Sequence, residues 1–223
     1  IVGYQTRLPG GSWGYASREP LGVVGGVGAW NYPLQTCTWK VAPALACGNT
    51  FIYKPSPLAP LEPVVLGEIL KEAGVPDGVY NVVQGEGETG ALLSRHQGLD
   101  KLSFTGSVPT GTRIMEAGAK GIKNVTLELG GKSPLIIFED ADMKNAVKGA
   151  LMANFLTQGE VCSNGTRVFI QRAIFDEFVA EFVKQARKMK AGDPLDDDTT
   201  IGGTISEEHA KKVLGKNLTP KHK

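Results

Sequence analysis

The sequence lacks the features that mark several large classes of protein. Its 223 residues include only three cysteines, Cys37, Cys47 and Cys162, with no C-x-x-C pair, so neither a zinc site nor a disulfide framework is indicated. No apolar run reaches the roughly 18 residues that would span a bilayer, and no signal-peptide pattern opens the chain. We therefore expect a cytoplasmic protein with no bound metal and no membrane partner.

A bias toward one sign of charge is also missing. The chain has 24 Lys and Arg against 23 Asp and Glu, a formal net charge of +1, and an ordinary 41% of hydrophobic residues. This balance gives no electrostatic attraction toward nucleic acid, and we expect no such partner. Basic residues concentrate only in 216–223, which we interpret as a solvated terminus.

The two ends of the sequence suggest that it is part of something longer. It opens on Ile1, with no strand or cap predicted ahead of the first glycines, and a helix predicted at 206–214 gives way to a polar tail. We expect from this pattern that the chain is truncated at both ends.

Short apolar, β-branched segments alternate with helical patterns from about residue 21 to 189, which predicts parallel strands joined by crossover helices. The predicted strands are 22–29, 50–54, 79–83, 101–104, 124–128, 135–138 and 167–171, and the predicted helices are 34–47, 62–73, 88–96, 108–117, 142–157 and 174–189. The fold class is an open, doubly wound parallel α/β sheet, a Rossmann-like cofactor domain, followed by the beginning of a second α/β domain. We place the domains at 1–130 and 131–223.

Cys162 and Glu128 are the candidates for covalent chemistry. The cysteine lies in Gly-Glu-Val-Cys-Ser-Asn-Gly, between a helical and a strand-like segment, where a lone thiol is a candidate nucleophile. Glu128 interrupts an apolar run, where a carboxylate is unfavourable unless it has a function. No histidine lies near Cys162, which weighs against a Cys-His arrangement.

Two glycine motifs are candidates for binding a phosphate. Residues 85–90 fit G-x-G-x-x-G between a strand and a helix, but Glu86 and Glu88 would meet a pyrophosphate with like charge, so a plain turn is the alternative. Residues 106–111 follow a strand and open a helix near Pro109, where free N–H groups and the Ser107 hydroxyl would hold an anion. A simple helix cap is the alternative there.

Four further residues are candidates for contacts with a ligand. They lie at the end of a predicted strand, in the loop after the first strand, or in the helix that follows that loop. Lys54 ends a strand at the carboxyl edge, where open α/β sheets bind ligands, although a lysine at a strand exit is common. Asn31 is a potential oxyanion donor or a helix N-cap. Tyr32 and Trp39 are seven residues apart, so they would share a helix face, either in a core or lining a tunnel that holds a cation. Cys37 and Cys47 are expected to be small buried hydrophobes.

Together these residues resemble the aldehyde dehydrogenase family over most of residues 8–205. The branch of betaine aldehyde and 4-trimethylaminobutyraldehyde dehydrogenases is the most similar, through Pro-Ala-Leu-Ala-Cys-Gly-Asn at 43–49 and the segment 147–157. The segments that carry the family resemblance are Gly-Ala-Trp-Asn-Tyr-Pro at 28–33, Lys-Pro-Ser at 54–56, Phe-Thr-Gly-Ser at 104–107, Leu-Glu-Leu-Gly-Gly-Lys-Ser at 127–133 and Gly-Glu-Val-Cys at 159–162.

The resemblance implies an enzyme that oxidises an aldehyde to a carboxylic acid through a cysteine thiohemiacetal and thioester. Cys162 would be the nucleophile, and Asn31 with the Cys162 backbone N–H would hold the oxyanion. Glu128 would activate the hydrolytic water. An inactive truncated form that binds only nucleotide or intact subunits is the alternative.

The resemblance also implies the cofactor and the substrate contacts. Residues that would bind NAD are Trp30, Lys54, Gly106, Ser107, Val108, Pro109 and Thr110. Pro57 stands where many NAD-preferring members have a glutamate, so NADP is possible. Tyr32 and Trp39 would line the aldehyde tunnel, and members of the family form homo-oligomers.

Overall fold

A computed structural model describes residues 2–217, which divide into two compact units, 2–129 and 130–217. The first unit begins with an antiparallel hairpin of strands β1 (Tyr4–Arg7) and β2 (Trp13–Ala16). No strand is predicted ahead of residue 22, so the hairpin is an addition to the sequence prediction. Most of its side chains are exposed, so it lacks the apolar alternation that marks a half-buried strand.

The main sheet of the first unit has five parallel strands in the order β5-β4-β3-β6-β7. The strands are β3 (Val23–Val27), β4 (Thr50–Lys54), β5 (Tyr80–Val82), β6 (Lys101–Gly106) and β7 (Asn124–Leu129). The crossover helices are α1 (Pro33–Ala46), α2 (Glu62–Glu72), α3 (Gly87–Arg95) and α4 (Val108–Ala119).

The two faces of this sheet are covered by different helices. On one face Phe51 and Tyr53 pack with Cys37 and Val41 of α1. Leu102 and Phe104 pack on the other side with Ile114 of α4. The predicted doubly wound parallel sheet is therefore confirmed.

Strand β7 lies at one edge of the sheet and is buried on one face only. Val125, Leu127 and Leu129 pack into the core beneath α4, whereas Asn124, Thr126 and Glu128 are exposed. Side chains of β7 alternate between core and solvent because successive residues of a strand point to opposite faces and no helix in the described part of the first unit covers the second face of this edge strand.

The second unit contains a parallel pair of strands and three helices. They are β8 (Pro134–Ile137), β9 (Arg167–Ile170), α5 (Met143–Phe155), α6 (Phe175–Ala186) and α7 (Glu207–Asn217). Its core joins Ile137 of β8, Val147 and Ala150 of α5, and Phe178 of α6. Asp142 caps α5 by accepting a hydrogen bond from the Asn145 N–H at 2.8 Å, as its position predicts.

Three predicted helix ends in this unit are wrong. Helix α5 ends at Phe155 rather than 157, because the backbone turns left-handed at Thr157. Helix α6 ends at Ala186 rather than 189, and helix α7 continues to Asn217 rather than ending near 214. The predicted solvated terminus falls mostly on 218–223, which lie outside the described residues. Within residues 2–217, no helix combines the length and the apolar character that crossing a bilayer requires.

Candidate active site

A cavity of 710 Å³ opens at the carboxyl ends of β3, β4 and β6 in the first unit. Strand order reverses here, since β4 lies on one side of β3 and β6 on the other. Open α/β sheets bind ligands at such a point. The residues of the NAD prediction that line it are Trp30, Lys54, Gly106, Ser107 and Thr110, whereas Val108 and Pro109 are not among the lining residues.

Both glycine motifs face this one cavity. Gly87 and Gly90 of the G-x-G-x-x-G segment line it together with Gly106 and Ser107. In the sequence the two motifs are separate candidates for a phosphate site. In the structure both border the same cavity, so one ligand could contact both.

Ser107 occupies the N-cap position of α4 without capping it. Its side chain makes no hydrogen bond to the first backbone N–H groups of the helix, and its hydroxyl instead lies 3.1 Å from the Thr110 hydroxyl. The simple-cap alternative is therefore wrong. The first-turn N–H groups and the positive end of the helix dipole are oriented as an anion site requires.

Lys54 brings a positive charge to the cavity wall. Lys54 is only 4% exposed. Burial lowers the pKa of its ammonium group, and the nearby Glu86 carboxylate raises it in part. A partly desolvated ammonium binds a hydroxyl or phosphate oxygen more strongly than one in bulk water.

The loop between β3 and α1 carries Asn31 and is fixed by a close approach. The Gly28 N–H donates to the Lys54 carbonyl at 3.0 Å, and a Cβ at Gly28 would overlap the Tyr53 hydroxyl. Only glycine fits there without moving the tyrosine. Asn31 is half-buried just before the N-cap of α1. Its N-cap alternative is wrong, because Tyr32 occupies that position.

Tyr32 and Trp39 do not share a helix face. Tyr32 precedes α1 with an extended φ of −139°, so the seven-residue spacing does not apply to it. The Trp39 side chain lies on the helix and is 57% exposed, which excludes a core role within the described structure and leaves the ring open to a ligand.

Lys40 is a candidate functional residue that the sequence analysis missed. It is buried on α1, and its Nζ donates to Thr105 Oγ1 at 2.5 Å. Thr105 is the register partner of Glu128 on β7. Burial lowers the pKa of the Lys40 ammonium, and the Glu128 carboxylate raises it.

The burial of Lys40 had a signal in the sequence. The apolar residues Cys37 and Ala44 lie three residues before and four residues after Lys40, so the helical period places Lys40 on the buried face of α1. Glu128, by contrast, is exposed on the open face of β7. The prediction that Glu128 is an unfavourably buried acid is therefore wrong. It remains a candidate functional residue because the Lys40 ammonium is near it.

The three cysteines occupy different environments. Cys162 is exposed in the second unit and Cys37 is buried in the first, where burial raises the pKa of its thiol to about 11. The Cys37 thiol lies 3.4 Å from the Tyr80 hydroxyl. Cys47 was expected to be buried, but it is exposed because it follows the last turn of α1.

The comparisons with known proteins agree with this fold and these motifs. The model of the aldehyde dehydrogenase family matches residues 3–219. The chain belongs to the aldehyde dehydrogenase family. It is 64% identical over 215 residues to the 4-trimethylaminobutyraldehyde dehydrogenase of Sus scrofa and 62% identical to that of Homo sapiens. Each alignment covers 96% of this chain and 44% of the relative, so the chain spans less than half the length of these relatives.

Solved structures give the same picture. The NAD⁺ complex of an aldehyde dehydrogenase from Bacillus cereus has a TM-score of 0.94 and 41% identity, covering 97% of this chain and 44% of that one. The betaine aldehyde dehydrogenase from Staphylococcus aureus in complex with NAD⁺ has a TM-score of 0.87 and 42% identity, covering 89% and 40%.

The environments of the cysteines predict their order of alkylation. At pH 8 the raised pKa of Cys37 leaves far less thiolate than an ordinary thiol has, and the thiolate is the nucleophile. Iodoacetamide should therefore modify Cys47 and Cys162 at least about tenfold faster than Cys37 in the native chain. Mass spectrometry of the digested protein measures the three rates.

Denaturation in urea supplies the control, since all three thiols should then react at similar rates. Fast modification of Cys37 in the native protein would contradict the buried placement.

Proposed function

We propose that this chain takes part in the NAD-dependent oxidation of an aldehyde to a carboxylic acid. The observation that carries the proposal is the cavity at the strand reversal, where Lys54 and both glycine motifs border one space. A dinucleotide needs an anion site and donors to its ribose hydroxyls. The start of α4 and the Lys54 ammonium supply both chemistries.

In the proposed reaction the Cys162 thiolate adds to the aldehyde carbon, forming a C–S bond and an alkoxide. NAD⁺, when bound, accepts the hydride that leaves this carbon as the C–O double bond reforms, and a thioester remains on the cysteine. Water then attacks the thioester, which releases the carboxylic acid and returns the thiol. NADH and a proton are the other products.

Asn31 and Glu128 would assist these steps. The Asn31 amide N–H and the Cys162 backbone N–H would donate to the oxyanion. Glu128 would take the proton of the attacking water as general base. The buried Lys40 ammonium is the cationic neighbour of this carboxylate.

The names of the relatives support the choice of substrate class. The 4-trimethylaminobutyraldehyde dehydrogenases and the betaine aldehyde dehydrogenase are named for aldehydes that carry a trimethylammonium group. In this chain the exposed Trp39 ring offers a π-face to such a cation. We propose the same class of aldehyde here, with Tyr32 and Trp39 as its contacts.

The division of the chain suggests how the tasks are shared. We propose that residues 1–130 form the NAD-binding domain and 131–223 the start of the catalytic domain, within a homo-oligomer like those expected for the family. Nucleotide binding without turnover is the second candidate function, because residues of the first unit alone form the cavity.

Turnover of an aldehyde by the chain should depend on Cys162. With NAD and betaine aldehyde we expect NADH to form, measured by its absorbance, and Cys162→Ala to lower the rate at least about 10³-fold, because the covalent step is lost. Cys47→Ala is the matched control, since Cys47 is also exposed, and its rate should stay within twofold. Equal rates for wild type and Cys162→Ala exclude the proposed covalent mechanism.

Nucleotide binding should depend on Lys54, whether or not turnover occurs. Calorimetric titration with NAD should show the Kd of Lys54→Met raised about tenfold or more, because a hydrogen bond to a charged group is lost. Lys71→Met is the control, since the Lys71 side chain is 72% exposed at the surface. An unchanged Kd in Lys54→Met would remove Lys54 from the proposed site.

Charge recognition should appear in Michaelis constants. Betaine aldehyde can be compared with 3,3-dimethylbutanal, its uncharged isostere in which carbon replaces nitrogen. We expect Trp39→Leu to raise KM for the cation by roughly 2- to 30-fold, since a cation–π contact contributes about 0.5–2 kcal/mol, and to change KM for the isostere less.

Trp13→Leu is a matched control, because Trp13 has the same exposed fraction as Trp39. Parallel changes of KM for both aldehydes in Trp39→Leu would show that the ring contributes shape rather than charge recognition.

A further inference from the structure

The turn that carries Cys162 has an unfavourable backbone. We define the Cys162 turn as residues 157–165. Thr157 has φ 50° and ψ 49°, Gln158 has φ 55° and ψ 18°, and Gly159 has φ 76°. The left-handed conformation is disfavoured at Thr157, which is β-branched, and at Gln158 by contacts between Cβ and the backbone, whereas Gly159 adopts it without that penalty. Such a conformation persists only where its surroundings fix it.

Part of that support comes from within the turn and from α5. The side chain of Asn164, which is 6% exposed, donates to the Gly159 carbonyl at 2.8 Å. The Gly165 N–H donates to the Ala153 carbonyl at 3.1 Å. A Cβ at Gly159 would lie 2.8 Å from the Asn154 carbonyl oxygen, so this position requires glycine for its contacts as well as for its φ. These contacts hold Gly159, Asn164 and Gly165 of the turn against one another and against α5.

Gln158 and Glu160 of the turn contact a second segment, residues 200–209, which we call the brace. The Gln158 amide, oriented with its oxygen toward the brace, accepts from the Gly202 N–H at 3.0 Å. Glu160 Oε1 accepts from the Ile205 N–H at 3.1 Å and lies 3.6 Å from His209 Nε2. The Glu160 side chain is only 7% exposed, so these partners take the place of water at its carboxylate.

The brace is itself anchored to the segment that follows α6. Ile201 forms a bridge with Ala191, and its N–H donates to the Lys190 carbonyl at 3.1 Å. The Lys190 N–H donates to Thr200 Oγ1 at 2.6 Å. Residues 190–192 follow α6, and α6 packs on α5 through Phe178 and Phe182. The Cys162 turn leaves α5 and the brace follows α6, so Glu160 joins the two chain segments that leave the helix pair.

We propose that Glu160 is a positioning residue that holds the Cys162 turn in its left-handed conformation by binding the brace. Its consequence for catalysis rests on the proposed function, but its effect on the turn does not. A nucleophile must be held within a fraction of an ångström of its productive position. Glu160 acts on Cys162 through the backbone that the two residues share.

Hydrogen–deuterium exchange of the 223-residue chain tests this role directly. In Glu160→Ala the backbone amides of 157–165 should exchange at least about tenfold faster, because a hydrogen bond to a charged acceptor is lost. Glu160→Gln should remain close to wild type, because its amide oxygen still accepts from the Ile205 N–H. Glu139→Ala is the matched control, since Glu139 is an exposed acid of the same unit that lies outside both the turn and the brace.

Peptides from α5 and α6 distinguish a local effect from unfolding. They should keep wild-type exchange in Glu160→Ala. Accelerated exchange throughout both helices would overturn the proposal, because Glu160 would then support the whole unit. His209→Ala should produce a smaller acceleration in 157–165 alone. Unchanged exchange of the turn in both Glu160→Ala and His209→Ala overturns it as well.

Kinetics separates this proposal from the proposed function. If the wild type forms NADH, Glu160→Ala should lower kcat at least about tenfold and leave KM for NAD within twofold, because the cavity residues lie in the first unit. Glu160→Gln should restore kcat. A wild type without turnover counts against the proposed function, while the exchange result still decides the role of Glu160.

Discussion

The reversal of strand order about β3 is the constraint on which the cavity of the first unit depends. Strand β3 pairs in parallel with β4 on one side and β6 on the other, so the connections leaving their carboxyl ends diverge to opposite faces of the sheet. A crevice must remain between them. The loop after β3, Lys54 at the end of β4 and Ser107 after β6 all reach it, although they are far apart in sequence.

Much of this arrangement could be predicted because buried strands have a recognisable pattern of apolar residues in the sequence. Strands β3 and β4 are short and largely apolar, β6 alternates apolar with polar residues, and each is followed by a glycine or polar segment at the sheet edge. The exposed hairpin β1–β2 carries no such signal. The prediction that Glu128 is buried failed because of the position of its strand. Glu128 interrupts an apolar run, but β7 is an edge strand that presents alternate residues to solvent.

The remaining features depend on contacts between distant segments. The burial of Lys40 could have been inferred from its helical spacing to the apolar Cys37 and Ala44, but its donation to Thr105 depends on how α1 crosses the sheet. The contact of Glu160 with Ile205 joins residues 45 apart in the chain. No periodicity relates those two positions, so only the packing of α5 on α6 reveals the pair.

The magnitudes explain why so few contacts suffice to set the Cys162 turn. A left-handed conformation disfavours an ordinary residue by about 1–2 kcal/mol, and Thr157 and Gln158 both adopt it. One hydrogen bond to a charged acceptor contributes about 1.5–3 kcal/mol, which is of the same size. The turn is therefore close to balance, and the bond from Ile205 to Glu160 is large enough to decide which conformation carries the cysteine. Because that balance is reached wholly within the second unit, it can change without altering the residues that line the cavity of the first unit.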